Sequence, residues 1–192
     1  GTLAKYETYL VDIAAGSGDV SVEMASLSPR FTAGTDFSVN MLREYDRKMR
    51  PSASGGRYGV AACDALSLPF RECVFDGTIT AFGIRNFADR GRSLSEMHRV
   101  LRPGGVAVIL ELTVPRNPVL KRLHALHSNC LLPVAGRIIS GDASAYRYLP
   151  ASIASFPPSA EFLAMMRAAG FAGVSARPLT FGAATIFSGR KP

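Results

Sequence analysis

The chain has 192 residues, of which 47% are hydrophobic and 19% charged, with a net charge of +7. That length and apolar fraction fit one domain spanning 1–192 with a sizeable core, and they exclude a disordered or low-complexity chain. No run approaches the ~18 apolar residues of a membrane span, and no basic segment followed by an apolar one marks a secretory signal.

In chain order, apolar runs alternate with helical patterns, which predicts βαβ units and a doubly wound, mostly parallel sheet. Strand one is expected at Tyr9–Ala14, followed by a helix over Asp19–Leu27 that stops before Pro29. Strand two covers Phe31–Thr35, and Ser38 offers an N-cap for a helix to about Met49. A loop from Pro51 to Gly56 leads to strand three at Tyr58–Cys63, and strand four spans Phe75–Phe82. Ser93–Leu101 is amphipathic, Arg102-Pro-Gly-Gly105 is expected to stop it, and Val106–Leu112 is strand five. Leu120, Leu123, His127, Cys130 and Leu131 then make a helical stripe. Residues 133–158 hold four prolines and read as part of a lid-like insertion over one end of the sheet, at about 115–158. A helix over Ser159–Ala169 and a hairpin of Val174–Leu179 with Ala183–Phe187 close the chain. The chain opens almost directly on strand one, so a preceding segment is expected to be absent or trimmed.

Cys63, Cys73 and Cys130 are odd in number and share no metal-type spacing, which predicts reduced thiols and no metal. Arginine outnumbers lysine 18 to 4, but the arginines are scattered without interleaved aromatics. The basic surface reads as a solvated face or a contact with an anionic membrane, and not as a nucleic-acid site.

In open α/β sheets ligands sit beyond the carboxyl ends of the strands. Four successive strand ends carry suitable groups. Strand one ends on Gly16-Ser17-Gly18, where the backbone can turn sharply and approach a ligand. Strand two ends on Asp36, an acceptor for two ribose hydroxyls. Strand three ends on Asp64, an acceptor for an adenine amino group, with the Ala65 N–H as donor to the ring. Strand four ends on Phe82-Gly-Ile-Arg85-Asn86. Each acid alone reads more readily as a loop residue or helix cap; their succession points to a nucleoside. The third glycine of a dinucleotide fingerprint is missing, and Asp19 would face a pyrophosphate badly. A zwitterionic amino-acid tail suits the turn better, which favours S-adenosylmethionine over a nicotinamide cofactor.

These stretches resemble the quinone C-methyltransferases of the UbiE/MenG family, within the class I S-adenosylmethionine-dependent methyltransferases. The resemblance rests on Asp12-Ile-Ala-Ala-Gly-Ser-Gly-Asp19, Thr35-Asp-Phe-Ser-Val-Asn-Met-Leu42, Asp64-Ala-Leu-Ser-Leu-Pro-Phe70, Ala81-Phe-Gly-Ile-Arg-Asn86 and Glu96-Met-His-Arg-Val-Leu-Arg-Pro-Gly-Gly105. It extends through Ser140-Gly-Asp142, Ala145-Tyr-Arg-Tyr-Leu-Pro150 and Gly189-Arg-Lys-Pro192. It implies a Rossmann-like seven-stranded sheet with a C-terminal antiparallel strand. It also implies S-adenosylmethionine contacts at Gly16, Ser17, Gly18, Asp36, Asp64, Ala65 and Ala81, and methyl transfer to a ring carbon of a polyprenyl hydroquinone. The family often has serine at the Ala81 position, and tyrosine where His98 stands; His98 reads as structural. Its helical segment before strand one is expected to be missing here, with a cost in cofactor affinity.

The ring carbon becomes nucleophilic when its phenol loses a proton, so a base or a phenolate-stabilising cation is needed. Arg85 and Asn86 are the expected catalytic residues. An arginine is a poor base; it would pair with the phenolate or act through a water held by Asp64, unless it pairs with an acid to hold its loop. His127 is a second base candidate within an apolar stripe, and His124 is expected on the solvent side. Glu111 reads as a substrate-orienting group or a turn cap. Tyr146 and Tyr148 would line the substrate lid or pack within it. The greasy acceptor implies a membrane-surface contact through the insertion, in a bacterial cytoplasm or a mitochondrial matrix, with a homodimer or a quinone-biosynthesis complex as the protein partner. Two other readings stay open: a methyltransferase for another small lipid or phenol, and a non-catalytic S-adenosylmethionine-binding subunit of such a complex.

Overall fold

The computed structural model describes residues 8–52, 57–115 and 151–192. Five strands run parallel: β1 (Tyr9–Ile13), β2 (Phe31–Asp36), β3 (Arg57–Ala62), β4 (Phe75–Ala81) and β5 (Leu101–Leu112). β7 (Ala184–Arg190) lies antiparallel between β5 and β6 (Ala172–Leu179). The order β3-β2-β1-β4-β5-β7-β6 reverses direction at β1, which places the switch point between β1 and β4.

The alternation of burial explains the two layers. Val11 and Ile13 point to one face, where they join Ala33, Phe75, Ala107, Ile109 and Phe187 in the core. α3 (Arg90–Val100) covers this face with Leu94, Met97 and Val100, and α4 (Ser159–Ala168) with Phe162 and Met166. Phe156, Phe162 and Phe187 stack there with centroids 4.7–6.1 Å apart. Asp12 and Gly34 point to the opposite face, toward Ser21 of α1 (Asp19–Ala25) and Tyr45 of α2 (Val39–Ser52). Leu42, Tyr45 and Met49 make the buried stripe of α2 at helical spacing.

Several boundaries differ from the sequence expectation for identifiable reasons. β1 stops before Ala14, and β4 before Phe82, because those residues take left-handed φ values of 56° and 58°. α3 starts at Arg90, since Asp89 caps it by accepting the Arg92 N–H at 2.8 Å. α2 continues through Pro51 and Ser52, where the missing proline N–H costs only the last turn.

Arg102-Pro-Gly-Gly105 does not lie outside the sheet. Phe75 pairs with Leu101 and Gly77 with Val106, so β5 bulges past β4 at this point. Gly104 sits at φ 80°, and a Cβ on Gly105 would lie 2.9 Å from the Arg102 carbonyl oxygen. The bulge binds the chain's end. The Gly104 N–H donates to the Lys191 carbonyl (2.8 Å), the Lys191 N–H to the Gly105 carbonyl (2.9 Å), and Arg190 Nη1 to the Gly104 carbonyl (2.7 Å). β7 therefore runs on to Arg190 instead of ending at Phe187. His98 packs edge-on to Phe171 against Gly170, and burial holds its pKa below the ordinary value.

The expected lid, with Tyr146, Tyr148, His124, His127 and Cys130, lies outside the described residues except for its flanks. Among the described residues no helix is long and apolar enough to cross a membrane, and no His/Cys/Asp/Glu group could hold a metal ion.

Candidate active site

A cavity of about 870 Å³ opens at the carboxyl edge of the sheet. Gly16, Ser17, Asp36, Asp64, Ala65, Ala81 and Asn86, all expected from the sequence, line it. Gly18 and Arg85 do not.

The two acceptor carboxylates are fixed by backbone donors. Asp36 accepts the Gly16 N–H on one oxygen (2.9 Å) and the Ser38 N–H on the other (2.8 Å). It thus ties the end of β2 to the glycine turn of β1. Asp64 accepts the Leu66 N–H at 2.9 Å. The loop that carries Asp64 is held on α3 by Arg99, which donates to the carbonyls of Phe70 (2.7 Å) and Leu68 (3.0 Å) and to Glu96 (2.7 Å). Glu96 in turn accepts the Leu68 N–H at 2.8 Å. The Arg99 guanidinium beside Glu96 holds that carboxyl below the usual range.

Within the turn the glycines divide the work. Gly16 sits at φ 54°, and a Cβ there would meet nothing within 4 Å, so the backbone faces open space at the cavity. Gly18 sits at φ 85°, and its Cβ would lie 2.7 Å from the Tyr45 ring. Gly16 leaves space open at the cavity, and Gly18 serves the packing beneath. The Ser17 hydroxyl donates to Asp19 (2.8 Å) and accepts from Lys48 Nζ (3.0 Å). Its proton is therefore already committed at the rim, where Lys48 holds Asp19 below the usual carboxylate range.

Two buried polar neighbours of the glycine turn escaped the sequence reading. Asp12 is 1% exposed within β1 and accepts the Ser21 hydroxyl at 2.7 Å. Burial, against the Ser21 hydrogen bond and with some repulsion from Asp36, pushes its carboxyl up to about 7. A lone acid in the apolar run Leu10-Val-Asp-Ile13 was the available signal. Tyr45 is the other: it is fully buried beneath Gly18 and Gly34, and burial pushes its phenol up to about 12. The cavity wall also carries Cys63, whose thiol burial pushes up and makes a poor nucleophile.

Asp12 yields a pH prediction with a definite sign. A carboxyl raised in the folded state contributes stability below pH 4 that is lost as pH rises through about 7. Asp12→Asn removes this loss. The gap in unfolding free energy between the variant and the parent is expected to move in the variant's favour from pH 5 to pH 8, with an upper bound on the order of 3 kcal/mol. Denaturant titrations at the two pH values check it; a constant gap would contradict the buried, protonated carboxyl.

The cavity's chemistry selects its ligand class. Its described lining has three carboxylates, Asp19, Asp36 and Asp64, and no lysine or arginine. Such a site disfavours a pyrophosphate and suits a cationic nucleoside: ring hydroxyls and an amino group as donors, a positive centre in a negative cleft. S-adenosylmethionine fits these donors and charges. Phe37, Met41, Phe82 and Phe87 add apolar walls to the cavity.

Arg85 points elsewhere. Its Nη1 bonds Glu111 at 2.8 Å and also donates to the Phe82 carbonyl, and its backbone N–H donates to Glu111 at 3.0 Å. The reading of Arg85 as a loop-holding partner of an acid thus has a geometric basis, and so does a role for Glu111 beyond a turn cap.

Comparison with known proteins agrees with this geometry. A model of the ubiE/COQ5 methyltransferase family matches residues 3–191. The chain is 42% identical over 184 residues to a protein of Geobacter sulfurreducens named ubiquinone/menaquinone biosynthesis C-methyltransferase UbiE, covering 95% of this chain and 72% of that one. It is 40% identical over 191 residues to a demethylmenaquinone methyltransferase of Thermus thermophilus, covering 99% and 86%. Among solved structures, a phosphoethanolamine N-methyltransferase of Haemonchus contortus in complex with S-adenosyl-L-methionine shares the fold at 16% identity and a TM-score of 0.69, covering 99% of this chain and 50% of that one.

Proposed function

The chain belongs to the ubiE/COQ5 methyltransferase family, and from that membership we propose how its described residues carry out S-adenosylmethionine-dependent C-methylation of a prenylated hydroquinone in quinone biosynthesis. The fold is that of the class I methyltransferases, and the activity is the C-methyl transfer that the relatives' names record. The observation that carries the residue assignment is the cavity at the switch point, acidic and free of cations among its described lining residues.

When bound, S-adenosylmethionine supplies a methyl group on a sulfonium, already a good leaving group. The protein's work is to seat, align and exclude water. In our reading Asp36 receives the ribose hydroxyls, Asp64 the adenine amino group, and the backbone at Gly16 and Ser17 the carboxylate of the tail, with Ala65 and Ala81 packing against the nucleoside. Phe82 and Phe87 flank the acceptor ring. Asn86 holds an acceptor oxygen, and Arg85, paired with Glu111, holds the turn that carries Asn86. No group with an arginine's pKa removes the proton itself; it leaves to water. The new carbon–carbon bond forms as the carbon–sulfur bond breaks, and the displaced ring hydrogen leaves as a second proton.

The acceptor's tail and the net charge of +7 support collection of substrate at an anionic membrane surface.

Two measurements test this reading. S-adenosylhomocysteine is expected to raise the melting temperature and NADH to leave it unchanged; stabilisation by NADH alone contradicts the cofactor assignment. Short-tail demethylmenaquinol and methoxy-polyprenyl-benzoquinol analogues, offered separately with radiolabelled cofactor, are expected to include at least one acceptor. Labelling of neither would contradict the hydroquinone reading.

A further inference from the structure

The pair Arg85–Glu111 is the most deeply placed charge pair near the site, with side chains 11% and 0% exposed. Glu111 uses both carboxylate oxygens. One accepts the backbone N–H of Arg85 at 3.0 Å; the other accepts Arg85 Nη1 at 2.8 Å and the Leu112 N–H at 2.7 Å. Arg85 Nη1 also grips the Phe82 carbonyl, and Arg90 Nη2 donates to the Arg85 carbonyl at 2.9 Å. One carboxylate at the end of β5 therefore holds both the backbone and the side chain of Arg85 in the turn that follows β4.

That turn is the acceptor wall. Phe82, Gly83, Asn86 and Phe87 line the cavity. Phe82 is 43% exposed and held at a left-handed φ of 58°, a conformation that a bulky residue keeps only when its surroundings impose it. Gly83 is pressed onto the cofactor turn: a Cβ on it would lie 2.8 Å from the Cβ of Ala14. The spacing between the acceptor wall and the glycine turn thus depends on what holds residues 82–86: the Phe82 N–H bond to the Leu110 carbonyl (2.8 Å), Arg90 on the Arg85 carbonyl, and Glu111 on both the backbone and the side chain of Arg85.

Stability alone does not explain such a pair. Replacing a buried ion pair by apolar side chains of similar volume is often neutral or stabilising, whereas removing one member strands the other. The Arg85 Nε is also buried without a hydrogen-bond partner among the described residues.

We propose that Glu111 is a positioning residue for methyl transfer: through Arg85 it sets the Phe82–Asn86 turn at the distance from the glycine turn that aligns the acceptor ring. The proposal rests on the C-methyltransferase reading above. A displacement of the order of 1 Å in such a wall costs about 100-fold in rate without a matching loss of cofactor affinity.

The test compares Glu111→Gln with the apolar double variant Arg85→Met/Glu111→Leu in the full chain. S-adenosylhomocysteine affinity is read by calorimetry, melting temperature by differential scanning, and kcat and KM with a short-tail quinol that the parent methylates. The double variant is expected to remain folded at the assay temperature with a lowered melting temperature, because Glu111→Leu takes the acceptor from the Arg85 and Leu112 N–H groups, to keep its S-adenosylhomocysteine affinity within about threefold, and to lose about 100-fold in kcat. Glu111→Gln is expected to lose kcat in the same direction; should it unfold instead, the double variant still decides. A double variant that keeps the parent's kcat overturns the proposal and leaves the C-methyltransferase reading standing. A parent that methylates no quinol while binding S-adenosylhomocysteine overturns both.

Discussion

Asp36→Ala is expected to weaken S-adenosylhomocysteine binding about 100-fold, close to 3 kcal/mol. The carboxylate does two jobs at once. It anchors the Gly16 and Ser38 N–H groups at 2.9 and 2.8 Å, and it faces the cavity where the ribose would sit. Deleting it removes the acceptor and also frees the glycine turn from β2. Asp36→Asn keeps the shape but turns an NH₂ toward one of the two donors, so an intermediate loss of about tenfold is expected. Calorimetry on the two variants gives the comparison. An Asp36→Ala protein that binds as tightly as the parent would place the nucleoside somewhere other than this cavity.

Gly34→Ala is expected to produce the largest loss of stability of any single methyl addition in the sheet. A Cβ there would lie 2.4 Å from both Cε2 and Cζ of Tyr45, and Tyr45 is fully buried. Overpacking of this kind costs about 1–3 kcal/mol, and because the same ring supports Gly18, the cofactor turn shifts with it. Gly16→Ala offers the contrast. It meets open space, so only the left-handed backbone opposes it, at about 1 kcal/mol. Trimming the ring in the double variant Gly34→Ala/Tyr45→Leu is expected to recover part of the loss, since the clash is with the ring and not with backbone. Chemical denaturation of the four proteins tests the ranking. Equal losses for Gly34→Ala and Gly16→Ala would contradict the packing argument.

Much of the site was legible because strand ends announce themselves. A buried apolar run followed by glycine or aspartate marks the place where a parallel strand delivers its ligand groups, and Asp36, Asp64 and the Gly16 turn could be read one by one in that way. What local pattern could not show is which side chains meet through space. Gly18 reads as a ligand glycine, but its missing Cβ accommodates Tyr45, 27 residues later in the chain. Arg85 reads as a cation facing the substrate, but its partner Glu111 lies across the β4–β5 pair. Arg102-Pro-Gly-Gly105 reads as a helix stop. Its continuation as a bulged strand depends on Lys191 and Arg190 at the other end of the sequence. In each case the deciding contact is long-range, and neither periodicity nor turn chemistry encodes it.

The account's central claim is that an acidic nucleoside cavity and an apolar wall ending in Asn86 together deliver a methyl group to carbon. It is tested most directly by incubating the protein with S-adenosylmethionine labelled with ¹³C in its methyl group and, in separate reactions, chemically reduced short-tail demethylmenaquinol and methoxy-polyprenyl-benzoquinol analogues, then assigning any product by NMR. The account predicts one labelled methyl group on the quinone ring carbon, formed together with an equal amount of S-adenosylhomocysteine. A label found on the ring oxygen, or no transfer from a protein that binds S-adenosylhomocysteine, would contradict it.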